Sequence, residues 1–561
     1  MKKRVPHVIL EEIISERVGF IFGITGKGIC PLIDGILDYK ELDFIGSRHE
    51  SGAALMAYGY AQSSGRLGVC CSTTAGGMTN LATGVATAYM NSVPLLVITG
   101  QSSTRENGKG AFQESTGLGQ SINAVDFFRA ITKESFTLAS PHLAGDAIRY
   151  AIKGAMGGRK GPVHINIPFD YFLSQIDYRP GGRFASVFRE DISGMNGRIA
   201  DAVQLIARSR RPVFLVGWGA VLSGAHETIL KLAMELGIPV ATTPQGKGAI
   251  PDEHPLFVGL MGVAGHESAR EYIFERSDLL IAVGTNFDEF TSLNWSDGFL
   301  NNTIIEIDID GREVGKNYPV DIGFVGDARV ITESLLQAVK AEGIKEKPSA
   351  REAKDFIAST QKHASPELMD DESIPVKPQY LMKAVVDHTP DNTLFLADSG
   401  AHWAWATHYL RIGKKGGFYP TIGLAAMGAS ICAAIGVKLS KPQNPVVCIC
   451  GDGAFLLSGN EVSTAAQYNI PVIWVVLNDS LYNMPAASLR KMFGREIGVN
   501  MPGTDFARLA RIYGAEGYRV EDPKQLETVI KAAVDSEKPS LIDVVIDPNE
   551  IPPVGQRKLK S

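Results

Sequence analysis

The chain has 561 residues, which at about 150 residues per domain sets a prior of three or four domains and enough length to bury a sizeable core. Lys and Arg number 55 against 61 Asp and Glu, so the net charge of -6 leaves no basic footprint for nucleic acid or an anionic membrane surface. Apolar residues at 45% and charged residues at 21% exclude a disordered chain and point to small-molecule partners, while 59 glycines exceed the roughly 7% average and imply many tight turns.

Six cysteines without a C-x-x-C pair make neither a disulfide framework nor a zinc motif; Cys30, Cys70, Cys71, Cys432, Cys448 and Cys450 read as reduced core thiols. The basic start is followed by Glu11, Glu12 and Glu16 rather than a signal-peptide core, and no run reaches the ~18 apolar residues of a membrane span. A cytoplasmic protein with no membrane or nucleic-acid partner is expected.

Three blocks follow in chain order, and the predicted fold is α/β with three doubly wound parallel-sheet domains. Residues 1–180 alternate strand-like runs (Gly68 to Ser72, Pro94 to Thr99, Val163 to Ile167) with small-residue helices. A Gly-rich connector from Tyr178 leads to residues 198–345, a Rossmann-like block with strands at Pro212 to Val216, Pro239 to Thr242, Leu279 to Val283 and Thr303 to Ile309. The charged stretch Lys340 to Lys362 reads as a solvated helix and linker. Residues 375–548 form the third block, and 549–561 a basic tail that is either a lid or a frayed end.

The third block repeats the first. A small-residue helix, a strand, a glycine turn, a second helix and a further strand come in the same order, with 23 positions from Cys71 to Pro94 and 21 from Cys450 to Pro471. A duplicated βαβ module explains this.

Asp452, in the turn Gly451-Asp452-Gly453-Ala454, follows an apolar strand and so falls at its carboxyl end, where open α/β sheets place ligands; the glycines permit close backbone approach. The next strand ends at Asn478-Asp479, and a right-handed crossover sets it parallel and adjacent, so the two acids converge. Alone, the turn reads as a turn and Asp479 as a helix cap. Together, 27 positions apart across a full βα unit, they suit a hard divalent cation bridging to a diphosphate. The other constellation is Arg48-His49-Glu50 before the nearly uncharged helix SGAALMAYGYAQ. Taken by itself Glu50 reads as a helix-capping charge, the alternative being a buried acid held for chemistry, and His49 reads as a structural histidine.

RHE-S-GAALMAYGYA, MTNLATG, AFQE at 111–114, GLAAMG at 423–428 and GDG-x-F with its downstream acid, spread over the whole chain in order, resemble the thiamine diphosphate enzymes of the acetolactate synthase group. The resemblance implies a pyrimidine-binding first domain, a central domain and a diphosphate-binding third domain. It implies that Glu50 contacts the aminopyrimidine ring and shuttles the proton that activates the thiazolium carbon, a role suited to a carboxyl whose pKa an apolar site raises. It further implies Mg2+ held by Asp452, Asp479 and the Leu481 carbonyl, a diphosphate loop at Gly400 and His402, Met427 beneath the bent cofactor (or simply in the core), and Phe112 and Gln113 on the substrate side. The implied activity is decarboxylation of pyruvate or a related 2-oxo acid with carboligation of the resulting acyl anion. A lyase, a simple decarboxylase, a sulfoacetaldehyde acetyltransferase and a non-catalytic paralogue are the alternatives. Relatives build each site from two subunits, so a homodimer or homotetramer is expected.

Five departures bear on substrate and cofactor. Relatives mostly carry Asn at Asp479, Gly-Pro-Gly at Ala75-Gly76-Gly77 and Gln at Ala401, and the biosynthetic synthases have a Val-Arg-Gln-Trp stretch where Pro485-Ala-Ala follows Met484 here. In the middle block Asn286 stands where flavin-binding relatives have an Arg, so no tightly held FAD is expected, though the strand end Ile307 to Asp310 remains able to meet an adenosine ribose. Lys27 and Lys109, on segments that border the site in relatives, read as solvated charges; pointing inward, either would select an anionic substrate or acceptor.

Overall fold

Runs of Val, Ile, Leu, Ala and Cys become strands buried on both faces, as in Gly68–Ser72, Leu95–Gln101 and Val446–Gly451, every residue of which is buried. The computed structural model describes residues 2–181 and 193–554. Its strands form three six-stranded sheets in which every pairing is parallel, plus a small antiparallel pair, Lys2–Arg4 with Gln175–Asp177. The chain is α/β, with helices between the strands of each sheet.

Numbering strands within each sheet in chain order, the first sheet runs 2-1-3-4-6-5 (Asp43–Gly46, Phe20–Gly23, Gly68–Ser72, Leu95–Gln101, Val163–Pro168, Glu134–Thr137). The third has the same order (Gly417–Pro420, Leu394–Ala397, Val446–Gly451, Ile473–Asn478, Ser540–Val545, Glu516–Val520), so the repeat seen in sequence extends to whole-sheet topology. The middle sheet, spanning Pro212–Val216 to Ile322–Val325, runs 3-2-1-4-5-6, the order of dinucleotide-binding folds.

Two helices tie the first and third units together. Glu50–Ser64 and Ala429–Ser440 are apolar around most of their circumference because each is buried, and they pack on one another. Glycines set the closeness: a Cβ on Gly59 would collide with the Ala433 carbonyl, and one on Gly436 with the Met56 carbonyl. Tyr58 and Gln62 each donate to the Pro420 carbonyl at 2.7 Å. The largest apolar cluster accordingly mixes residues of both units, from Phe22 and Met56 to Ile435 and Trp474. Gly436→Ala is expected to cost at least the 1–3 kcal/mol typical of overpacking, lowering the melting temperature by about 5 °C in calorimetry; an unchanged melting point would show that the helices can part at no cost.

The structure corrects three expectations. Cys30 is exposed at the start of helix Cys30–Ile36, while the other five thiols are buried. The stretch from 340 to 362 is not simply solvated. Lys347 is buried, its ammonium bonded to the carbonyls of Ile206, Ala207 and Ser209, and helix Ala350–Ser359 buries Ala353, Phe356 and Ile357 in the middle unit. Met427 is 40% exposed, so it is not a core methionine. Part of the connector after Tyr178 and the end of the tail (555–561) lie outside the described residues. Among the described residues no helix is long and apolar enough to cross a membrane.

Candidate active site

Strands Val446–Gly451 and Ile473–Asn478 lie side by side, Gly451 opposite Leu477, so the turns after both open on one rim. Asp452 starts helix Asp452–Ser458, and its carboxylate accepts the N–H groups of Gly453 and Ser480, both at 2.7 Å. Asp479 accepts from the Leu481 N–H at 3.2 Å and the Asn483 amide at 2.9 Å. Ser480, between them, sits at φ +55, a left-handed conformation costly for a non-glycine residue. A strand-like bridge from Leu481 to Asn500 pins this turn. Burial, then the neighbouring Asp479 charge, pushes Asp452 up to about 7; burial raises Asp479 also. Two desolvated acids that repel each other, with Leu481 lining the same cavity, could hold a hard divalent cation.

The acids border a cavity of about 300 Å³ lined also by Gly400, His402, Met427, Gly451, Gly453, Ala454, Leu481 and Tyr482. Gly400, at φ +151, precedes helix Ala401–Tyr409; a Cβ on Gly400 would strike the His402 ring, and one on Gly451 would lie 2.7 Å from its Nδ1. Only glycine therefore fits on either side of that imidazole. Burial pushes His402 down to about 3, leaving a neutral ring whose Nε2 has no hydrogen-bond partner. An unpaired buried ring nitrogen beside a helix N-terminus, lining the same cavity as the two acids, fits a diphosphate. Among the described residues lining this cavity, Phe290 comes from the middle unit and the rest from the third; Lys377 pairs with Asp547 at 2.7 Å and Glu550 at 2.8 Å on its edge, so the start of the tail borders the site.

Glu50 lies elsewhere. It opens helix Glu50–Ser64, buried, behind the N-cap His49, whose Nδ1 accepts the Ser51 N–H at 3.1 Å. The Asn80 amide donates to Glu50 Oε2 at 2.9 Å, and Gly77 leaves room for Oε1. Close by in the chain, Thr74 donates to Gln113 Oε1 at 3.0 Å; Ala75 at φ +37 and Gln113 at φ +57 are both in strained conformations. Phe112 is 85% exposed, and the loop carrying it is organised by the buried Glu114 carboxylate, which accepts from Gly108, Gly110 and Ala111. Lys27 and Lys109 are exposed. The predicted site residues thus fall into two groups: Asp452, Asp479, Leu481, Gly400, His402 and Met427 around one cavity, and Glu50 and Gln113, with Phe112 exposed nearby in the chain, on the first unit.

Three polar partners of these residues escaped the sequence reading: Asn80, Asn483 and Glu461, the last of which binds the backbone before Glu50. Isolated polar residues in small-residue helices give no signal of their partners, since those are set by packing. A second cavity, of about 420 Å³, opens at the switch point of the middle sheet beside Gly284, Asn286 and Asp308. Its lining cations are Arg159 and Lys160; Arg159 already pairs with Glu313 and Asp310, and Lys160 faces Asp327. Both cations of that wall therefore already have acidic neighbours.

Three family models match: "Thiamine pyrophosphate enzyme, N-terminal TPP binding domain" over residues 3–121, the "central domain" over 199–337 and the "C-terminal TPP binding domain" over 398–544. Among similar proteins, "Probable acetolactate synthase large subunit" of Methanocaldococcus jannaschii is 37% identical over 564 residues, covering 98% of this chain and 93% of that protein. Its namesake in Methanococcus aeolicus is 36% identical, covering 96% and 92%. "Acetolactate synthase isozyme 3 large subunit" of Escherichia coli (strain K12) is 31% identical, covering 97% and 95%.

Proposed function

Since the chain belongs to the thiamine pyrophosphate enzyme family, with acetolactate synthase large subunits among its full-length relatives, we propose that it decarboxylates pyruvate or a related 2-oxo acid and joins the acyl carbanion to an acceptor carbonyl. The observation that carries this reading is the pair of repelling, desolvated acids Asp452 and Asp479 directly after two adjacent parallel strands, bordering a cavity that His402 also lines. Asp452, Asp479 and the Leu481 carbonyl would hold Mg2+, and His402 with the N–H groups following Gly400 would hold the diphosphate. Thiamine diphosphate, when bound, supplies a nucleophilic carbon and an electron sink for loss of carbon dioxide. Glu50, oriented by Asn80, exchanges a proton with the aminopyrimidine ring nitrogen. Gln113, held by Thr74, orients the substrate, and Phe112 shields it from water.

Because the first-unit residues do not line the diphosphate cavity, the reading needs a second copy of the chain to bring its Glu50 to that cavity, in a homodimer or a homotetramer built from such pairs. It includes no tightly held flavin, supported by Asn286 and the acidic wall of the middle cavity. A cytoplasmic location is supported by five buried thiols and no disulfide among the described residues. The test is a panel of 2-oxo acids, with magnesium and thiamine diphosphate, followed by carbon dioxide release and product identification with and without added aldehydes. Acetolactate or a mixed 2-hydroxy ketone from a colourless protein is the expected product; release of free aldehyde alone would replace the carboligase by a decarboxylase, and no release from any acid would remove the reading.

A further inference from the structure

The turn that presents Glu50 is held from the third unit of the same chain. Glu461 is 1% exposed, and its carboxylate accepts the Arg48 N–H on both oxygens (3.0 and 3.2 Å), the His49 N–H on Oε1 (3.0 Å) and the Thr464 hydroxyl on Oε2 (2.6 Å). A Cβ on Gly52 would collide with that carboxylate, so glycine is needed there to admit it. Around this buried contact, Tyr468 accepts the Gly46 N–H at 2.9 Å, and the Arg48 guanidinium reaches Ser463 at 2.9 Å and Gln467 at 2.5 Å.

Glu461 ends a short turn, Gly459–Glu461, that follows helix Asp452–Ser458, the helix opened by the candidate metal ligand. The body of helix Glu50–Ser64 is fixed separately by its glycine contacts with Ala429–Ser440. Removing the Glu461 carboxylate would therefore leave the helices packed while freeing the N–H groups of Arg48 and His49, the two residues before Glu50, and N–H groups left without an acceptor force the turn to move.

We propose that Glu461 is a positioning residue for the reaction: by gripping the peptide N–H groups of Arg48 and His49 it fixes where the Glu50 carboxylate stands. The inference rests on the reading of Glu50 as the proton-transferring acid. A misplacement near 1 Å costs on the order of 10²-fold in rate.

The experiment uses the full chain with Glu461→Ala and Glu461→Asp, the latter drawing the carboxylate back by one methylene. Three quantities are read: deuterium exchange at the thiazolium carbon of bound thiamine diphosphate after acid quench, the Kd for that cofactor by tryptophan fluorescence, and kcat with KM for the 2-oxo acid. Carbon exchange and kcat are expected to fall about 10²-fold in both variants, with Kd and KM within about threefold of the parent. A loaded, folded variant that exchanges at the parent's rate overturns the proposal, and if the Ala variant does not fold the Asp variant decides. Independently of any cofactor, amide hydrogen exchange of the segment around residues 46–52 is expected to rise about tenfold or more in the variants, from loss of a buried acceptor; unchanged protection also overturns the proposal. A parent that binds no thiamine diphosphate counts against the proposed function instead, and the amide measurement still judges the grip.

Discussion

Glu50→Gln is expected to lower kcat by about 10²–10⁴-fold while thiamine diphosphate still binds. The amide is nearly isosteric and can keep the hydrogen bond from Asn80 that Glu50 Oε2 receives at 2.9 Å. It can neither accept nor return a proton at the aminopyrimidine ring. The helix start is held by His49 and by the grip of Glu461 on the preceding peptide groups, neither of which the substitution touches. On the proposed reading cofactor affinity resides in the other cavity, so calorimetry should give a Kd within about tenfold of the parent, because uncharged hydrogen bonds contribute only about 1 kcal/mol each. Undiminished turnover in the Gln variant would remove Glu50 from the chemistry.

Asp452→Ala should abolish magnesium-dependent cofactor uptake, weakening it at least about 100-fold. Asp452 is the more deeply buried of the two acids, and its carboxylate also accepts the Gly453 and Ser480 N–H groups that shape the turn. Asp479→Asn forms the contrast. An amide oxygen remains to face a cation and repulsion with Asp452 is relieved, so uptake is expected to stay within about tenfold of the parent. Titration calorimetry with thiamine diphosphate at fixed magnesium, repeated with a chelator, reads both variants. Equal binding by the parent with and without the chelator would show that the acids serve no metal.

The legible parts of the molecule share a physical cause. Gly68–Ser72, Pro212–Val216 and Leu279–Val283 were readable to the residue because central parallel strands are apolar on both faces. Edge and outer strands such as Asp43–Gly46, Glu134–Thr137 and Glu516–Val520 are only partly buried and carry polar residues, so they leave no comparable run. Asp452 and Asp479 were linked because one βα unit fixes the distance between neighbouring strand ends, an effect of local chain geometry.

The sequence by itself determined the α/β class, the three units, the repeat of the first in the third and the convergence of two acids on one rim, since each follows from hydrophobic period, glycine turns and the handedness of a short crossover. Tertiary structure alone decided that Glu50 is oriented by Asn80, 30 positions on, and its turn gripped by Glu461, more than 400 positions on. It also decided that, among the described residues, those of the first unit stay off the cavity beside Asp452 and that Lys347 is buried rather than solvated. Such contacts depend on which helix faces meet once the sheets stack, and a polar residue carries no local mark of the distant backbone group that will satisfy it.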